Sequence, residues 1–196
     1  MDSRQGSNAN QEAGGPVYST TARLLHWLTV IFVAILIPVG FYMVYRGDVT
    51  KFDAVTNTLY SWHKLGGFIL LCLIVLRLLY RLFHGAPPDE PTLLWWHKAG
   101  AHLAHWGLYL LLLATPFLGW YGVSLYGARG LPFGMALPEI AAPDKAAAEQ
   151  VLGFHSWAAI VMLCLISAHV GAAIYHHFLR GDGVLRRMLP GLKARR

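Results

Sequence analysis

Ten histidines occur in this chain of 196 residues, although 56% of it is hydrophobic and only 13% is charged. Four of them, His155, His169, His176 and His177, fall within "GFHSWAAIVMLCLISAHVGAAIYHHFLRG" (153–181), a stretch apolar enough for a lipid bilayer. Hydrocarbon solvates imidazole poorly, so a ring placed there needs a partner from the protein or from a ligand. His155 and His169 are 14 residues apart. On a helix that is about 21 Å along the axis, and the chain returns to within about 40° of the starting face. One helix therefore presents two imidazoles on one face at two depths.

Other histidines supply partners at each depth. At the outer level only His63 qualifies, whereas at the inner level His26, His102 and His105 all do. Two histidines facing across a bundle, at each of two depths, are what two bis-imidazole haems require. Iron would then replace the hydrogen-bond partners that lipid cannot offer. "HKLGG" (63–67) and "HVGAA" (169–173) set small residues beside two of these histidines, which gives a flat macrocycle clearance. Neither Cys72 nor Cys164 lies in a C-x-x-C-H motif, so any haem is held without thioether bonds.

The elements that must position these rings are long and apolar. Uncharged runs cover 24–45, 99–128 and 150–179. A fourth, 59–83, has Lys64 and Arg77 near its ends, where long side chains reach the headgroups. About 20 apolar residues span a bilayer, so the reading is all-α: an integral membrane four-helix bundle carrying two b haems. The helices are expected near 21–45, 59–83, 98–126 and 145–180, with Pro38 and Pro116 inside two of them. Asp144 is expected to cap the fourth. The domain runs over 18–190, between a disordered tail (1–17) and a short basic tail (191–196).

Net charge is +6, but its distribution argues against nucleic acid. Four spans put both termini on one side, and that side collects 11 of the 16 lysines and arginines. By the positive-inside rule it is the cytoplasmic side. The remaining cations include Lys64, which follows His63, and Arg129, in the long outer loop; these two could steer an anionic substrate. Arg77 and Arg81 lie on one stripe at the inner end, as interfacial anchors or as contacts for haem propionates. His176 follows His169 by two turns and could line a quinone pocket. His102 and His105 read as packing or propionate contacts, and His84, His97 and His177 as solvated.

These stretches together resemble the bacterial cytochrome b561 family. The matching segments are "RLLHWL", "HKLGG…LIVLRLLYRL", "AHLAHWGLYLLLLATPFLGW", "FHSWAAIVMLCLISAHVGAAIYHHF" and "GDGVLRRMLP". The resemblance implies a multi-pass protein of the bacterial inner membrane with two b haems. It implies His63 and His155 for the outer iron and His26 and His169 for the inner one. It also implies electron transfer between an outer-face partner, superoxide or a periplasmic redox protein, and membrane quinone, with ubiquinone as the expected substrate. One branch of the family is a superoxide:quinone oxidoreductase. Two other readings are a haem-bearing membrane anchor subunit of a dehydrogenase or hydrogenase, and a haem-free transporter with a histidine relay. Absence of Asp and Glu from the spans argues against the transporter.

Overall fold

A computed structural model describes residues 17–189, 191 and 192. The tail expected at 1–17 lies outside these but for Val17, and so does most of the basic tail at 191–196. Four long helices make up the fold: α1 (Thr20–Thr50), α2 (Ala54–His84), α3 (Trp95–Tyr126) and α4 (Lys145–Tyr175). Each is long and apolar enough to cross a membrane. At 1.5 Å per residue they measure about 46 Å, against about 30 Å of hydrocarbon. They therefore overshoot the apolar runs at their ends, because polar residues such as Arg46, Asp48 and Thr58 continue the helix.

Local chemistry fixes the ends. Ser19 caps α1 by accepting from Ala22 N at 3.2 Å, and its hydroxyl also bonds the Tyr80 hydroxyl at 2.9 Å. The α1–α2 turn is much shorter than the 46–58 connection expected from charge. Lys51 and Phe52 take positive φ (53° and 64°), and Asp53 immediately caps α2. Gly47 makes room for the returning Phe52 ring, since a Cβ there would lie 3.2 Å from Phe52 Cζ. Asp53 accepts from Thr56 N at 2.8 Å and from Arg46 at 2.6 Å. The Thr56 bonds first, and Arg46 after them, hold its carboxyl down at about 2.

Gly127, at φ 75°, ends α3 in a Schellman motif, with Gly127 N donating to Ser124 O and Ala128 N to Val123 O. Asp144 caps α4 through Ala147 N at 3.0 Å, as its position predicts. Beyond Tyr175 the helix widens into a π turn over His176–Arg180, rather than running as α-helix to 180.

Close backbone packing joins consecutive helices, α1 to α2, α2 to α3 and, most extensively, α3 to α4. Among the described residues the non-consecutive pairs barely approach. Where backbones do approach, small residues allow it. A Cβ on Gly122 would lie 2.6 Å from Leu152 Cδ2, and one on Gly66 would lie 2.9 Å from Leu36 Cδ2. The inner cluster is Val33, Leu70, Ile74, Tyr109, Leu112 and Met162. Large apolar side chains such as Ile35, Leu76, Leu110 and Val161 face outward, the surface of a protein whose solvent is lipid. The chain is a multi-pass membrane protein.

Candidate functional site

Both described ends of the chain meet at one end of the bundle, here the terminal end, where Tyr18 N donates to Arg187 O. The opposite, far end holds the first histidine pair. His63 of α2 and His155 of α4 face each other with ring centroids 6.2 Å apart and planes at 90°. His155 Nδ1 bonds the Thr115 carbonyl of α3 at 2.8 Å. A carbonyl only accepts, so Nδ1 carries the proton and Nε2 keeps its lone pair. His63 Nδ1 is buried and finds no hydrogen-bond partner among the described residues.

Glycines admit both rings. A Cβ on Gly119 would lie 3.1 Å from His155 Cε1 and Nδ1, and one on Gly40 would lie 3.1 Å from His63 Cε1. These come from α3 and α1, not from the sequence neighbours of the histidines. Gly66 instead accommodates Leu36, while Gly67 and Gly171 border open space. Gly40, Gly119 and the Thr115 carbonyl were therefore invisible to a reading along one helix at a time.

At the terminal end, three histidines gather around Arg77. Arg77 donates from Nη1 to His26 Nδ1 at 2.7 Å and from Nε to the Tyr109 hydroxyl at 3.2 Å. His105 and His169 are in ring contact at 5.4 Å. His26 lies within electrostatic range of both. His102 turns outward to Asp89 at 3.2 Å, so of the three inner candidates only His26 and His105 reach the interior. Arg81 lies over the rings of Trp106 and Tyr109, each at 5.7 Å. Together the two arginines line a narrow crevice with Tyr18, Tyr80, Tyr109 and Met188.

Two expectations about the remaining histidines change. His177 is buried rather than solvated, and His97 is half-buried with an unpartnered Nδ1. His84 is exposed and stacks on Tyr80. His176 is buried and bonds Asp182 at 2.6 Å.

The long far-end connection is folded down on the bundle. Gly130 bridges Ala136, Trp120 Nε1 donates to Pro138 O, and Ser124 Oγ accepts from Ile140 N and Ala141 N. Lys64 Nζ ties into it by donating to Ala128 O at 2.8 Å. Arg129 is engaged within it, by Leu137 O and by Glu139, both at 2.8 Å.

Histidines that approach in pairs suit a metal whose other ligands are not protein. Among the described residues no three His, Cys, Asp or Glu side chains converge to hold a bare ion. A metal held between two imidazoles on opposite sides sits about 2 Å from each nitrogen, which puts the ring centres roughly 6 Å apart. His63 and His155 have that separation, a free Nε2 on one ring and an unpartnered buried nitrogen on the other. They fit the two axial positions of a haem. The sequence pattern of the prokaryotic cytochrome b561 family matches residues 17–191. The chain belongs to that family.

Individual relatives agree. The chain is 30% identical to cytochrome b561 homolog 1 of Escherichia coli over 177 residues, which cover 90% of this chain and 98% of the relative. It is 29% identical to homolog 2 of the same organism over 176 residues, 88% of this chain and 90% of the relative. It is 30% identical to a probable superoxide oxidase of Yersinia pestis over 124 residues, 63% of this chain and 70% of the relative. As a cytochrome b561 the protein is a haem-binding, membrane-embedded electron carrier.

Proposed function

We propose that the protein holds two b haems, one near each face of the membrane, and carries electrons between an outer-face donor and membrane quinone. The single observation that carries this reading is the His63–His155 pair, 6.2 Å apart across the bundle. When bound, haem supplies a one-electron couple; the protein supplies position and environment. At the far end the Thr115 carbonyl holds the proton on His155 Nδ1 and leaves Nε2 to coordinate.

At the terminal end the ligands are His26 and His169. At 5.4 Å, His105 and His169 are closer than two imidazoles on opposite sides of one iron, which favours His105 as a packing neighbour. Arginine has only donors, so while Arg77 bonds His26 Nδ1 the proton of the neutral ring sits on Nε2. To hold a haem through Nε2, His26 would carry its proton on Nδ1 instead, a nitrogen that could then no longer accept from Arg77. The crevice beside it, shared with Arg81, is where the released guanidinium and the haem carboxylates would pair.

The excess of cations at the terminal end supports a cytoplasmic location for the termini, in a bacterial plasma membrane. His176, buried at the same end, would border the quinone. Similarity to a probable superoxide oxidase supports superoxide as the outer donor; ubiquinone is the acceptor in this reading. Haem quantitation with reduced-minus-oxidised spectra tests the core of the reading. The expected result is two haems per chain, low-spin, and fully extractable into acidic acetone. A haem-free protein after expression with ample haem would sink it.

A further inference from the structure

Where α4 ends, the chain buries an imidazole and a carboxylate side by side. His176 Nδ1 bonds Asp182 Oδ2 at 2.6 Å, and the two side chains keep 10% and 5% of their exposure. The π turn and Gly181, at φ 63°, bring the six-residue separation into contact. Asp182 is held from its other side by Val184 N, which donates to Oδ1 at 3.1 Å, and Arg180 Nε lies 3.4 Å from Oδ2. Arg180 is itself anchored on the Thr92 carbonyl.

Across from this pair, on α3, is His97. Its ring centroid is 5.6 Å from that of His176, and its Nδ1 is buried without a partner among the described residues. Tyr175 completes the surroundings at 5.7 Å. Two imidazoles, one carboxylate and one guanidinium are thus packed together at the terminal end. Of these groups the reading given above uses only His176, as a border of the quinone.

Such a group moves protons well. A carboxylate that holds Nδ1–H fixes the tautomer and leaves Nε2 as the exchanging nitrogen. A second imidazole nearby, with an unsatisfied nitrogen, can return the proton. We infer that His97, His176 and Asp182 form a proton relay that serves quinone chemistry at the terminal end. The inference rests on the quinone reading given above. Reducing a quinone to a quinol takes two electrons and two protons, and forms two O–H bonds. The electrons would come one at a time from the haem that His26 and His169 would hold. For each proton, the His176 Nε2–H bond breaks as a quinone O–H bond forms. His97 then passes a proton to His176 and recovers one from water. Asp182 is the positioning residue throughout, keeping the Nδ1 proton in place.

The test uses full-length haem-loaded protein, reduced with dithionite and mixed with a short-chain ubiquinone analogue in a stopped-flow instrument across a range of pH. General acid catalysis contributes about 100-fold, so His176→Gln is expected to slow haem oxidation by the quinone by about that factor. Asp182→Asn should slow it less and shift its pH profile, and Asp182→Glu should restore both. Ferricyanide takes an electron without a proton, and should oxidise the haems equally fast in every variant. Added imidazole should recover the quinone rate in His176→Gly. If Asp182→Asn disturbs the turn, His97→Gln still probes the relay from a regular helix. Should these variants keep the wild-type rate and pH profile while melting at lower temperature, the cluster is a structural latch and the relay is wrong. Wild-type protein that reacts with ferricyanide but never with quinone would overturn the quinone reading, and the relay with it.

Discussion

Single atoms separate the histidines that suit iron from those that do not. Depth alone leaves His26, His102 and His105 equivalent, because all three enter from the same end. The outward turn of His102 to Asp89 and the contact of His105 with His169 depend on tertiary packing that spacing cannot convey. The His63–His155 pairing, by contrast, is legible from one helix period and one depth. The ligand assignment yields a first prediction. His63→Ala loses the far-end haem and His26→Ala the other, each leaving one haem per chain by quantitation, whereas His102→Ala and His105→Ala keep both. If His105→Ala removes a haem that His26→Ala spares, the terminal-end assignment is wrong. A second prediction concerns Gly119, which touches His155 across the helix interface. Gly119→Val pushes the ring off the Thr115 carbonyl. Loss of such a supporting bond costs about 10- to 100-fold in affinity, so far-end haem should titrate out first while the terminal-end spectrum persists.

For the elements, the sequence carries the number of helices, the two internal prolines and the Asp144 cap. It hides where the helices stop. Charge marks the end of the apolar run at Arg46, but α1 continues through Gly47, Asp48, Val49 and Thr50, poor helix formers at an end where Arg46 bonds Asp53 and Thr50 bonds Arg46 O and Thr56. The π turn is hidden too: Gly181 N and Asp182 N both close onto His176 O, and the side-chain bond between His176 and Asp182 joins residues six apart. Asp53 gives the α1–α2 turn a testable pH dependence. Its carboxyl sits at about 2 in the fold, held by the Thr56 bonds and Arg46, against about 3.9 when unfolded. A depressed carboxyl contributes its stabilisation above the unfolded value and loses it as pH falls through the folded one. The turn should therefore be unaffected from pH 7 to 5 and loosen between about 4 and 2. Amide exchange at Thr56 reports this directly. Asp53→Asn should flatten the dependence, and a turn that loosens identically in that variant would assign the effect to another group.

Taken whole, the molecule is electrically lopsided. The far end carries five lysines and arginines (Arg46, Lys51, Lys64, Arg129 and Lys145) and five carboxylates (Asp48, Asp53, Glu139, Asp144 and Glu149), so it is formally neutral. Two of those cations are paired, Arg46 with Asp53 and Arg129 with Glu139. Long-range attraction of an anion to this face is weak, and of the three cations outside those pairs Lys64, which follows His63 in sequence and bonds an uncharged carbonyl, is the one whose local field is placed to guide one to the far-end histidines. If superoxide is the donor, Lys64→Gln should slow haem reduction by superoxide several-fold, Arg129→Gln should do little, and salt should matter modestly. Stopped-flow mixing of oxidised protein with superoxide checks this. Haems that stay oxidised remove superoxide from the reading and leave the electron carrier intact.

The two ends also hold their rings by different means, main chain at one and side chain at the other. His155 leans on the carbonyl of Thr115, and every residue type at position 115 supplies that same oxygen. Before haem enters, His26 leans on Arg77, which a single codon change can replace. Mutation can therefore adjust how readily one ring is released to its haem, while the support of the other moves only if the backbone does. A lineage adapting to a new electron partner would find one end of the wire adjustable and the other a fixed reference.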